Sequence, residues 1–256
     1  MDFDGLEYFL KNCFKKYKIK VNQIVAGIPL ETRLLDCNLL KKSIFNVTGA
    51  NSIHLVPGII AASIGSSLSV SDGEAFGFLE IGYETSEISF IAKNTSIFEK
   101  KIHFGINQFI KNIDFFFQSE FNFKPNYLQK EKLLFHLLDT FPEEKNEKIE
   151  ITGINFKKIG INSAQIYNTI EIQLKAFINI LGGIIFSAPN KIAEDIKKNG
   201  IFLSGIGSLI RNLDKRLNNE FLIPINMTKH PIDNKVLGLW KIINNKMILK
   251  DIALNL

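Results

Sequence analysis

Three large apolar residues, Ile201-Phe202-Leu203, lead straight into Ser204-Gly205-Ile206-Gly207-Ser208, and apolar residues then recur at Leu209, Ile210, Leu213 and Leu217. The apolar run reads as a strand buried on both faces, the small residues as a turn, and the later spacing as a helix beginning at Ser208. A strand that passes through glycines into a helix belongs to an α/β fold. It aims bare backbone N–H groups and a helix N-terminus at whatever occupies the turn, which suits an anion or the polar edge of a nucleotide. The segment serves equally well as a tight connection with no ligand. It is not a dinucleotide-binding fingerprint, because Ile210 stands where the third glycine belongs and no early βαβ unit surrounds it.

The preceding chain changes pattern once. Up to about residue 70 it reads β-α-β-α: a helix over Phe3 to Tyr17, a strand over Gln23 to Ile28, a helix over Glu31 to Phe45 with Leu34, Leu35, Leu39 and Leu40 inward, a strand over Ile53 to Val56, and a helix from Pro57 to about Leu68. This order wants a parallel or mixed sheet. At Ser71-Asp72-Gly73-Glu74 a meander begins, with strands over Phe76 to Ile81, Glu87 to Ala92 and Ile97 to Phe104 separated by short polar turns. Helices follow over Gly105 to Glu120 and Leu128 to Leu138, then a polar loop over Pro142 to Glu147. Two short strands come next, around Thr152-Gly153. Ser163 caps a long helix to Ile180, broken at Gly182-Gly183, and Pro189 opens the helix that leads into the glycine turn. A strand over Phe221 to Ile225 and a helix over Val236 to Ile243 complete the pattern.

A chain of 256 residues buries a sizeable core as one large or two small domains. The 31 Lys and Arg against 26 Asp and Glu leave a net charge of +5 with no massed basic tract, so nucleic acid is not an expected partner. Cys13 and Cys37 lack metal-ligand spacing and fit a reducing compartment, and the acidic N-terminus has no signal-peptide pattern. A cytoplasmic location is expected. The longest apolar stretch, Ala176 to Ala188, is interrupted by Asn179, Gly182 and Gly183 and is too short to span a bilayer. It suits either extra core or a contact between subunits.

Four segments, in order, resemble the MreB-type bacterial actins of the actin-like ATPase superfamily. Ile24-Val-Ala-Gly-Ile-Pro29 is similar to a family strand ending in Gly-Ile-Pro. Leu55 through Leu68, with Ala61-Ala62-Ser63-Ile64-Gly65, is similar to the helix after the family's Glu-Glu-Pro motif. Phe78-Leu-Glu-Ile-Gly-Tyr-Glu-Thr-Ser-Glu87 resembles the second phosphate loop, Asp-Ile-Gly-Gly-Gly-Thr-Thr-Glu. Gly200 through Arg211 resembles the adenosine loop with its helix. The resemblance runs nearly end to end. It implies an actin-like (ribonuclease H-like) α/β ATPase fold whose first half is incomplete and whose second half carries a small α+β insertion. The implied subdomains are residues 1–72 with 232–256 packed back on them, residues 73–120 with 181–231, and an insertion at 121–180.

The departures set the functional expectation. Met1-Asp-Phe-Asp4 corresponds to a point in mid-sequence of the family, so the expected chain is N-terminally truncated, without the first phosphate loop and one of four subdomains. In the second phosphate loop Gly82 and Thr85 match, while Tyr83 and Glu84 replace glycines and Glu80 replaces an aspartate. A Cβ forced to positive φ there would cost about 1–2 kcal/mol. An inward Glu84 would repel a phosphate charge by roughly 4 kcal/mol at about 4 Å and an effective dielectric near 20, whereas one turned to solvent costs little. Leu55-Val-Pro-Gly-Ile-Ile60 occupies the stretch of the family's catalytic glutamate and holds no carboxylate to position water. His54 nearby reads as structural, and Gln129-Lys-Glu-Lys132, where the family has a ribose-contacting Glu-x-x-Lys, reads as a solvated face.

The resemblance therefore implies a cell-shape cytoskeletal protein with a degenerate site for ATP and Mg2+, weak or no hydrolysis, and no catalytic or metal-ligating residue of its own. Gly82 and Thr85 are the phosphate-side candidates, and Gly205, Gly207 and Ser208 the adenosine-side candidates. Self-association or an intact MreB-type paralogue are the implied partners. Peripheral membrane contact through the lysine-flanked helix Phe3–Tyr17 is an alternative to ordinary core packing of that helix. Two further readings are a non-polymerising pseudo-actin that regulates an intact filament and a small-molecule kinase of the same superfamily.

Overall fold

The computed structural model describes residues 2–68, 73–93, 95–141, 147–153 and 158–254. The expected turn at Ser71-Asp72 and the loop residues 142–146 lie outside them. The chain divides into two compact units, Met1–Ser69 with Asp233–Leu256, and Val70–Ile232.

The first unit opens with α1 (Phe3–Tyr17), capped by Asp2, whose carboxylate accepts from the Gly5 N–H at 2.9 Å. Its apolar face packs on α2 (Leu34–Thr48), with Leu6, Leu10, Cys13 and Phe14 half-buried and Phe9 exposed. β1 (Gln23–Ile28) and β2 (Ser52–Pro57) pair in parallel, Gln23 opposite Ser52 through Ile28 opposite Pro57. The helix α2 begins three residues later than its pattern suggests, and Leu34 and Leu35 are exposed rather than inward. The apolar cluster it joins holds Cys37 and Leu40 with Ile28, Ile53 and Leu55, and the first turn overhangs that surface. α3 (Gly58–Ser66) is buried almost all round, as a helix with so little polar surface must be.

The second unit is built on a five-stranded sheet. β3 (Phe76–Ile81), β4 (Ser86–Ala92) and β5 (Thr95–Ile102) form the antiparallel meander expected from their spacing. α4 (Ile106–Phe121) follows. α5 (Tyr127–Lys132) continues as a π-helical turn over Leu133–Leu137, and β6 (Lys148–Thr152) pairs with β7 (Lys158–Asn162). α6 (Ser163–Phe186) is one unbroken helix of 24 residues. Its cap is Asn162, one residue before the expected Ser163, whose side chain and that of Gln165 satisfy each other's backbone N–H groups. Gly182 and Gly183 do not break it. By length and composition α6 could cross a membrane, which the shorter stretch Ala176 to Ala188 did not suggest. Its stripe Ile166, Ile170, Leu174, Phe177, Leu181 and Ile185 is buried in the core of this unit, while Ile180 and Phe186 remain exposed.

α7 (Asn190–Asn199) leads into β8 (Ile201–Ser204), which lies parallel to β3 on one side and to β9 (Ile225–Met227) on the other. The helix expected from Ser208 is instead a 3-10 turn over Ile206–Leu209, a break at Ile210–Asn212, and α8 (Leu213–Phe221). The break has a visible cause: Arg211 forms a β-bridge with Asp139, and Asn212 takes the left-handed conformation at φ 58°. The last strand likewise begins at Ile225, after Pro224, because β9 pairs only once it reaches Ile201. The chain then returns to the first unit as α9 (Asn234–Ile243) and α10 (Lys246–Ile252). There α3 and α9 approach at two glycines: a Cβ on Gly65 would lie 1.8 Å from the Asn234 carbonyl oxygen, and one on Gly238 1.7 Å from that of Ala61.

Candidate functional site

The two stretches singled out in the sequence are neighbours. β3 and β8 run parallel with Glu80 opposite Ser204, so the turns that follow them, 82–85 and 205–208, leave the same edge of the sheet side by side. The carboxyl ends of adjacent parallel strands are where α/β sheets place ligands.

The glycines of the second turn are explained first by packing. Gly205 sits at φ 81°, and a Cβ there would meet the Ile81 carbonyl oxygen at 2.5 Å. A Cβ on Gly207 would lie 2.1 Å from Ile81 Cγ2. Both are therefore required by the close approach of β3. The Gly205 N–H donates to the Pro231 carbonyl at 2.8 Å, and the buried Ser208 hydroxyl donates to the Gly205 carbonyl at 2.7 Å.

The first turn is closed on itself. The Gly82 N–H donates to the Thr85 carbonyl at 3.1 Å, and a Cβ on Gly82 would meet that oxygen at 2.6 Å. The first N–H groups of α4 donate into the turn, Ile106 to the Gly82 carbonyl at 3.1 Å and Asn107 to that of Tyr83 at 2.9 Å. Neither Tyr83 nor Glu84 adopts positive φ, so the strain expected of side chains at these positions is not incurred. Glu84 is exposed and accepts from Asn107 Nδ2 at 2.8 Å. Thr85 is half-buried.

Beside the 3-10 turn lies an open groove of about 570 Å3. Ile206, Leu209, Leu128 and Phe135 form apolar walls, and Glu131, Lys132 and His136 supply polar edges. Of the Gln129-Lys-Glu-Lys132 tract, Gln129 is engaged in capping α5 and bonded to the Thr152 carbonyl, and Lys130 is paired with Asp114 at 2.9 Å. Glu131 and Lys132 remain at the groove. Reading the whole tract as a solvated face misses this pair, because the π-helical turn and the 3-10 turn that bring it to Ile206 have no periodicity of their own. Between groove and first turn, Tyr83 lines a crevice of only about 30 Å3 with Ile206, Glu131 and Phe135.

One polar network anchors the end of this region. Arg211 reaches Glu147 through two guanidinium bonds of 2.8 Å each and also donates to the His136 carbonyl. Glu147 holds the guanidinium above its already high pKa. The side-chain amide of Asn212 spans both oxygens of the buried Asp139, at 2.9 and 3.0 Å.

In the first unit, Leu55 and Val56 are fully buried and offer no carboxylate. The half-buried His54 contacts the Ser52 hydroxyl through Nε2 at 2.7 Å, two residues away on the same strand. Tested against a nucleotide, the groove fits a base and sugar by size and lining. In the turn 82–85 the Gly82 N–H is engaged within the turn and the first N–H groups of α4 are spent on its carbonyls, which leaves a phosphate chain fewer donors.

The MreB/Mbl protein family profile matches residues 2–251. The cell shape-determining protein MreB of Escherichia coli (strain K12) is 22% identical over 233 residues, which cover 89% of this chain and 67% of that protein. Among solved structures, MreB5 of Spiroplasma citri bound to AMPPNP superposes with a TM-score of 0.86 at 21% identity, over 98% of this chain and 77% of that one. A MamK double helical filament superposes with a TM-score of 0.75 at 14% identity, over 95% of this chain and 76% of that one. The fold is therefore that of the actin-like ATPases.

Proposed function

The chain belongs to the MreB/Mbl family, and from that premise we propose that it is an actin-like cytoskeletal subunit involved in cell shape, whose nucleotide site is degenerate and does not turn over ATP. The observation that carries this reading is the parallel pairing of β3 with β8, which sets the turn 82–85 and the turn 205–208 at one sheet edge beside a nucleoside-sized groove. Gly205, Gly207 and Ser208 shape the adenosine side, and Gly82 and Thr85 the phosphate side. Hydrolysis is lost because the stretch Leu55-Val56-Pro57 brings no base to a water, and general-base help is worth about 10²–10⁴ in rate. Cytoplasmic location, association with its own copies or an intact paralogue, and contact with a membrane belong to the same reading. It is supported by the family match and by the filament formed by the structural relative MamK.

Calorimetry with ATP and Mg2+, phosphate-release kinetics and pelleting at increasing protein concentration test the reading together. The expected result is weak binding, phosphate release no faster than in buffer, and pelleting that does not depend on ATP. Steady turnover would overturn the degenerate site, and failure to pellet alone or with an intact family member would overturn the cytoskeletal role.

A further inference from the structure

We infer that the groove beside Ile206 and Leu209 is selective for a nucleoside with few or no phosphates, binding adenosine at least as tightly as ATP. The inference rests on the nucleotide reading above and adds which ligand the site prefers. Affinity for a phosphate chain comes from N–H donors and positive potential aimed at it. Here the helix end that could supply them is already engaged. The first N–H groups of α4, at the positive end of that helix, donate to the Gly82 and Tyr83 carbonyls, and the Gly82 N–H donates to Thr85. Glu84, held by Asn107 in the first turn of α4, places a carboxylate at this helix end, where a bound anion would otherwise be stabilised.

Tyr83 crowds the same side: with Ile206, Glu131 and Phe135 it lines a crevice of only about 30 Å3. The groove itself keeps about 570 Å3 with apolar walls for a base. Its two lining charges, Glu131 and Lys132, are of opposite sign and give a polyanion no net advantage.

The test is calorimetry of the full chain with adenosine, AMP, ADP and ATP, the last two with and without Mg2+, repeated on Glu84→Gln. Expected are dissociation constants for adenosine equal to or below those for ATP. In the Glu84→Gln chain ATP should tighten by roughly twofold to fivefold, the effect of removing one carboxylate from a helix N-terminus, with adenosine unchanged. The unchanged adenosine affinity also shows that the variant is folded. ATP binding more than threefold tighter than adenosine in the unaltered chain would overturn the selectivity and leave the nucleotide site standing. ATP affinity unmoved by Glu84→Gln would equally overturn it. No binding by any of the four would remove the nucleotide reading itself.

Discussion

Replacing Gly238 by alanine inserts one methyl group into the seam between α3 and α9. The new Cβ would lie 1.7 Å from the Ala61 carbonyl oxygen, 2.5 Å from its carbon and 3.0 Å from the Gly65 nitrogen. These are backbone atoms inside a helix, so no rotamer change relieves the contact. The helices must part by roughly 1.5 Å to restore ordinary separation, and a gap of about 1 Å already forfeits up to half of each dispersion contact along the seam. Overpacking of this kind costs about 1–3 kcal/mol, and a backbone obstacle places it at the upper end. Alanine returns about 1 kcal/mol of helix propensity over glycine. The net loss is about 2 kcal/mol, or about 8–16 °C in the transition that unfolds the first unit.

Gly183→Ala in α6 is the control, because a Cβ there meets nothing within 4 Å. With only the propensity gain acting, it should stabilise by about 0.5–1 kcal/mol. Urea unfolding followed by circular dichroism separates the two signs. A Gly238→Ala chain as stable as the unaltered one, or more stable, would refute the close approach of α3 and α9.

Two further outcomes follow from the second unit. Asn212→Ala removes both bonds to the buried Asp139 and leaves a Cβ residue without an amide in the left-handed region, so a loss of about 2–3 kcal/mol is expected in urea unfolding; Asn212→Asp should not restore it, because it sets a second carboxylate against the first. Glu74 is hydrogen-bonded to Lys198 and Asn199, and these bonds, Lys198 first, hold its pKa below the ordinary carboxylate value. A depressed carboxylate stabilises fully above its unfolded pKa and loses that contribution as pH falls through the folded one. Thermal melts should therefore drop on acidification below about pH 4.5, and Glu74→Gln should show a smaller drop over that window.

Element type and order were legible in the residues. β1 and β3 have the limits their patterns suggest, because each run is bounded by turn-forming residues and carries its own periodicity. The glycines at 205 and 207 marked a turn that matters, though not the reason: they are glycines because Ile81, more than a hundred positions earlier, comes within contact distance. Leu34 and Leu35 looked inward because a helical stripe states which residues could be buried but not where the partner surface ends. The helix expected at Ser208 was displaced to Leu213 by the bridge from Arg211 to Asp139, a pairing no local pattern encodes.

The candidate site divides along the same line. Residue types alone marked Tyr83 and Glu84 as departures from the phosphate loop that the segment resembles, since chemistry travels with the side chain. Only the folded chain shows that the turn's carbonyls cap α4 and that Glu84 reaches Asn107 instead of pointing inward. Local preference depends on a few neighbouring residues and is therefore written in the sequence. Which donor meets which acceptor depends on strand register between distant segments, and that is decided when β8 settles beside β3.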